Sequence, residues 1–175
     1  LLSQAEHDPR ARAIMVTNSE KLAQLVSDEV ERQLLQLPRE SIARPAIENN
    51  SYIAVMDSVE DMFTVMNEVA PEHLEIQLPD PMEYMSMVEN AGSVFLGRYA
   101  SEPLGDYVGG TNHVLPTSGT AKFSSPLGVY DFVKRISFTQ FSRERLQEVA
   151  KDITTLARTE GLEAHARAIE VRFED

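Results

Sequence analysis

The chain reads as an α/β protein with a parallel, Rossmann-like but incomplete sheet and a mainly helical C-terminal tail. Three observations predict this. Short apolar or alternating runs recur at 13–16, 52–56, 74–78 and 93–96. Amphipathic helical stretches lie between them, and strands separated by helices join as right-handed βαβ units in a mostly parallel sheet. In the last part of the chain the strand signals fade and helical periodicity takes over. The expected division is an α/β domain over 1–127 and a helical tail over 128–175.

Taken in order, Leu1-Leu2-Ser3-Gln4-Ala5-Glu6-His7 reads as the end of a helix already under way, with no cap before it and Pro9 just beyond. The chain is therefore expected to be a piece of something longer. Residues 13–16 form the first strand. Asn18 or Ser19 can cap a helix with Leu22, Leu25, Val26, Val30, Leu34 and Leu37 on one side, stopped by Pro38. Residues 52–56 give the second strand. Asp57 or Ser58 can cap the next helix, with Val59, Met62, Phe63, Met66 and Val69 at helical spacing. Leu74, Ile76 and Leu78 alternate as a strand does. Asp80-Pro81 supplies an N-cap and a first-turn proline for a helix that Gly92 stops. Ser93–Leu96 is the fourth strand. From Gly105 to Pro126 the periodicity fails: four glycines and six Ser/Thr fall among 22 residues. A loop this long in a compact domain is usually functional. Ligand sites in open α/β sheets lie beyond the carboxyl ends of strands, and this loop follows one. In the tail, 136–141 is an extended segment. Ser142 can cap a helix with Leu146, Val149, Ile153 and Leu156 on one face, and Gly161 breaks it before a short second helix. Few apolar residues serve the tail itself, so it is expected to pack on another surface.

Length and composition narrow the function. A chain of 175 residues with 42% apolar residues fits one domain, or one domain with an appendage. The net charge of -12 argues against nucleic acid and against an anionic membrane surface. No apolar run approaches transmembrane length, and no signal peptide is visible. The absence of cysteine excludes a disulfide scaffold and fits a cytoplasmic location.

Each of the four histidines stands in a polar cluster. Histidine titrates near neutral pH and is the commonest metal ligand, and without thiols any metal site must use nitrogen and oxygen donors. Gln4 and His7 are three apart and share a helix face. Glu72-His73 follows Pro71 at a helix-to-strand junction. There, histidine can take a proton from an alcohol and the carboxylate can activate water. Asp106 and His113 bracket a glycine-rich loop in which Gly109-Gly110 permits close backbone approach. That loop lacks both the phosphate-loop ending and the dinucleotide fingerprint. Glu160 and His165 flank a helix break and can point into one site. Any one of these clusters also fits an exposed turn or helix end; together they point to one shared site.

Gln4-Ala5-Glu6-His7, Ala70-Pro71-Glu72-His73-Leu74-Glu75, Gly105-Asp106-Tyr107 with Asn112-His113-Val114-Leu115-Pro116-Thr117, and Glu160-Gly161-Leu162 with Ala164-His165 together resemble histidinol dehydrogenase. Their order and spacing match the C-terminal part of that family along the whole chain. The resemblance implies a zinc- and NAD-dependent oxidoreductase of histidine biosynthesis, which takes L-histidinol through histidinal to L-histidine with two NAD. It implies zinc ligands at Gln4, His7, Asp106 and His165, and acid/base work by Glu72 and His73. Substrate contacts would fall to His73, Asp106, His113, Glu160 and His165, with no residue assigned to NAD. It also implies a homodimer with the tail reaching into the other subunit. The family chain is more than twice as long, so this chain is expected to lack most of the nucleotide-binding domain and to be inactive alone. Two rivals stand beside this reading. One is a non-catalytic, dimerising metal-binding module. The other is a zinc hydrolase, which no His-Glu-x-x-His motif supports.

Overall fold

The structure, a computed structural model, describes residues 1–174 and forms two compact units, Leu1–Phe132 and the residues from Val133 onward. The first unit runs α1 (Leu2–Ala5), β1 (Ile14–Thr17), α2 (Glu20–Leu34), α3 (Glu40–Asn50), β2 (Tyr52–Val55), α4 (Val59–Val69), β3 (His73–Ile76), β4 (Ser93–Leu96) and α5 (Glu102–Tyr107). The second holds α6 (Arg143–Thr159) and α7 (Glu163–Glu170).

The helix starts follow from capping chemistry. The Ser19 hydroxyl accepts from the Leu22 N–H at 3.2 Å and opens α2. The Ser58 hydroxyl accepts from the Asp61 N–H at 3.0 Å and donates to the Asp61 carboxylate at 2.7 Å, which opens α4. Helix α3 has no counterpart in the sequence analysis. Pro45 lies inside it and removes the N–H that would bond the Ser41 carbonyl. Tertiary packing offsets that loss: Ala43 and Ala46 are fully buried with Ala5 and Leu34, where small side chains let α1, α2 and α3 approach closely.

The strands are all parallel and pair two by two. In β1–β2, Ile14 stands opposite Tyr52; in β3–β4, His73 stands opposite Ser93 and Glu75 opposite Phe95. No ladder joins the two pairs among the described residues. Helix α4 links them instead, packing on β1 and burying Phe63 and Met66 with Ile76 of β3. The Asn67 side chain of α4 then ties down the chain leading to β4. Its amide donates to the Met87 carbonyl at 2.9 Å, and its carbonyl oxygen accepts from the Glu89 and Asn90 N–H groups.

Several expectations need correction. Asp80-Pro81 opens only a 3₁₀ stretch, Pro81–Met87, because Asp80 takes a left-handed φ of 47° and its side chain caps nothing. Gly92 therefore stops no helix. Its N–H donates to the Pro71 carbonyl at 2.9 Å, and a Cβ there would lie 2.6 Å from the Glu72 carbonyl oxygen. The expected loop after β4 begins with a helix, α5, which already contains Gly105. Residues 136–141 carry no regular element, and Ile136, Phe138 and Phe141 are exposed.

In the second unit the Ser142 hydroxyl accepts from the Arg145 N–H at 3.2 Å and starts α6. Gly161, at φ 75°, turns the chain into α7. Arg158 fastens the turn by bridging Glu163 at 2.8 Å and Glu170 at 2.9 Å.

The close approach at Gly92 gives a direct test. Gly92→Ala forces a methyl against backbone atoms, which cannot swing aside as a side chain can. We expect a loss of about 1–3 kcal/mol in denaturant unfolding, the usual range for overpacking. Gly128→Ala, whose Cβ would meet nothing closer than 3.9 Å, should change stability by less than about 0.5 kcal/mol.

Candidate active site

Side chains on a strand alternate between faces. On β3 and β4, Leu74, Ile76, Val94 and Leu96 pack with Phe63 and Met66 on the α4 side. His73, Glu75, Ser93 and Phe95 must then share the opposite face. Helix α5 lies across that face. Its Gly105 is the reason it can: a Cβ there would stand 2.7 Å from the Phe95 ring. The Phe95 ring in turn sits 6.1 Å from the His73 ring, centroid to centroid.

This stacking brings three titratable groups together. One donor atom each from His73, Glu102 and Asp106 lie within 4.8 Å of one another. Glu102 and Asp106 are one helical turn apart on α5 and so share its face. The His73 imidazole is the chemically exposed member in energetic terms. Both ring nitrogens are shut off from solvent and neither has a hydrogen-bond partner. Leaving such groups unsatisfied costs about 1–3 kcal/mol each, so a ring held this way is ready for a partner from outside the chain.

The carboxylates have different environments. His113 Nδ1 stands 2.9 Å from Asp106 Oδ1. That hydrogen bond holds the Asp106 carboxyl below its usual range and raises the His113 imidazole above its own. Glu102 is pushed up, first by burial and then by its hydrogen bond to Asp106 and the charge there. Asp106 is thus the committed anion, and Glu102 is the neighbour that most readily takes a proton.

The residues singled out from sequence fall as follows. His73 and Asp106 meet directly, and His113 joins them through Asp106. Glu72 enters β3 just before His73 and is near enough for its charge to raise His113. His7, exposed just past α1, acts electrostatically on Glu102. Gln4 lies half-buried on α1. Glu160 and His165 belong to the second unit, at the end of α6 and within α7, and both are exposed. The cluster lies on the sheet face under α5, and His73 opens its strand. This candidate cluster thus lies beside the sheet, whereas the loop after β4 points to a site beyond that strand's carboxyl end. Glu102 is the functional candidate that sequence reasoning missed. Its spacing of four from Asp106 is the signal that could have found it.

The family model for histidinol dehydrogenase matches residues 1–173. The chain is 66% identical over 174 residues to histidinol dehydrogenase of Lactiplantibacillus plantarum, covering 99% of this chain and 41% of that protein. It is 62% identical over 172 residues to that of Streptococcus mutans, covering 98% and 40%. The crystal structure of histidinol dehydrogenase from Elizabethkingia anophelis superposes with a TM-score of 0.87 at 39% identity, covering 99% of this chain and 40% of that one. The chain thus spans about two fifths of the length of these relatives. With its α/β fold and a match along nearly every residue, the chain belongs to the histidinol dehydrogenase family.

Proposed function

We propose that this chain carries the acid/base and metal-binding part of a cytoplasmic oxidoreductase of histidine biosynthesis. That enzyme oxidises L-histidinol through histidinal to L-histidine with two NAD. The observation that carries this reading is the partnerless His73 imidazole facing Asp106, in a chain whose relatives bear that enzyme's name.

The donor chemistry fits zinc. There are no thiols, His113 holds the Asp106 carboxyl below its usual range, and His7 acts on the neighbouring Glu102. We assign the ion to Gln4, His7, Asp106 and His165. Once bound there, zinc supplies fixed positive charge that orients nitrogen donors of the substrate. In our reading His73 takes the proton from the alcohol oxygen as hydride leaves the carbon for NAD. Glu72 then takes a proton from the water that adds to the aldehyde, and the hydrated carbon gives its hydride to the second NAD. His113 and Glu160 hold the substrate. NAD contacts are assigned to no residue of this chain. The exposed Ile136, Phe138 and Phe141 favour a partner surface on the tail, and we propose a homodimer. The same exposure is what favours the second reading, a dimerising metal-binding module without catalysis. No helix of the described residues is long and apolar enough to cross a membrane.

Three outcomes test this reading. Zinc measured by atomic absorption should fall about 10-fold or more in a His7→Ala/His165→Ala double variant, as happens even when outer ligand partners are lost. Equal zinc in variant and parent would remove the ligand assignment. In the full-length enzyme, His73→Asn should slow both oxidations. Glu72→Gln should slow aldehyde oxidation more than alcohol oxidation, each by about 10²–10⁴-fold, the usual share of general acid/base groups. Finally, the chain alone should form no NADH from histidinol, because hydride transfer needs both reactants held in line, a contribution of about 7–11 kcal/mol. Calorimetric NAD binding with histidinol-dependent NADH formation by this chain would overturn that expectation.

A further inference from the structure

We propose that Glu75 is a positioning residue for this site: it fixes α5 over β3 and so keeps Asp106 against His73. The proposal rests on the roles given above to His73 and Asp106. Helix α5 has six residues, too few to be stable by itself in water. Its first N–H groups need acceptors, yet the Ser101 side chain at the N-cap bonds none of them. The acceptor comes from the neighbouring strand. The Glu102 N–H donates to Glu75 Oε1 at 3.1 Å, across 27 residues of sequence. A carboxylate is well suited to this place, since it also meets the positive end of the helix dipole. The other Glu75 oxygen accepts from the Gln77 side chain at 3.1 Å, which holds the carboxylate in that orientation.

Geometry makes the link specific. Glu75 lies two residues beyond His73, on the same face of β3. The strand that carries the imidazole therefore also carries the acceptor that seats the opposing helix. The Gly105–Phe95 contact sets the height of α5 above the sheet, and the Glu75 bond fixes its start along the strand. Asp106 follows one turn later. Glu75 itself touches neither ring nitrogen of His73, which has no partner.

Glu75→Ala and Glu75→Gln in the full-length enzyme separate this from a general loss of structure, since Gln keeps an acceptor oxygen. In Glu75→Ala, amide exchange at Glu102 and along α5 should quicken about 5-fold or more, with exchange in β1 and β2 unchanged. Misplacement of about 1 Å can cost 10²-fold in rate, so kcat for histidinol should fall about 10- to 100-fold, more than KM changes. Glu75→Gln should restore slow exchange and stay within about 3-fold of the parent in kcat. Unchanged exchange in Glu75→Ala, or equal damage from Glu75→Gln, overturns the proposal. If the unmodified enzyme fails to oxidise histidinol while Glu75→Ala still loosens α5, the functional reading falls and the seating of α5 by Glu75 stands.

Discussion

The two-residue alternation of β3 and β4 is the constraint on which the rest of the site depends. It sends Leu74, Ile76, Val94 and Leu96 into the core under α4, and it leaves His73, Glu75 and Phe95 for the opposite side. A slip of one residue in β3 would exchange its two sets and place an imidazole in the apolar cluster. The apolar half of the pattern thus fixes the polar half. Burial of Ile76 under Phe63 and Met66 is what holds His73 on the face that α5 covers.

Upon that face the charges are arranged by burial and by pairing together. Asp106 and Glu102 stand one helical turn apart, an arrangement that repels when both are ionised. His113 relieves it on one side by bonding Asp106, and burial relieves it on the other by favouring the neutral form of Glu102. The result is one firm anion beside an imidazole with both nitrogens free. Most of the 28 acidic residues lie outside this cluster. Many of those are engaged locally, as where Arg44 gathers Glu31, Glu40 and Glu48.

Helix α4 has a wider part in the first unit than its length implies. It bridges two strand pairs that share no ladder, and Asn67 on it pins the segment leading to β4. The start of β4 is then drawn in against the start of β3 through Gly92, close enough that only a hydrogen fits where a side chain would stand. Backbone proximity of this kind ties the position of Glu72 to the packing of a helix that contributes no polar group to the site.

The sequence by itself determined the four strands and the capped helices α2, α4 and α6, and it offered His73, Asp106 and His113 as candidates, which the fold brings together. Those features are local. Ser19, Ser58 and Ser142 cap the N–H groups three residues on, and apolar spacing follows the helix or strand period whatever the fold around it. Only the tertiary structure decided the rest. Pro45 hides α3 from any local reading, because the small-residue contacts that sustain that helix come from α1 and α2. Gly92 reads as a helix stop in sequence and proves to be a close backbone approach. Glu102 went unread because its spacing of four from Asp106 shows a shared helix face, while its Ser-Glu-Pro surroundings carry no mark of burial. It is the strand beneath, through Glu75 and Phe95, that turns α5 onto His73. Contacts between residues distant in sequence depend on which faces meet, and a periodicity read along one strand or helix cannot say what lies opposite.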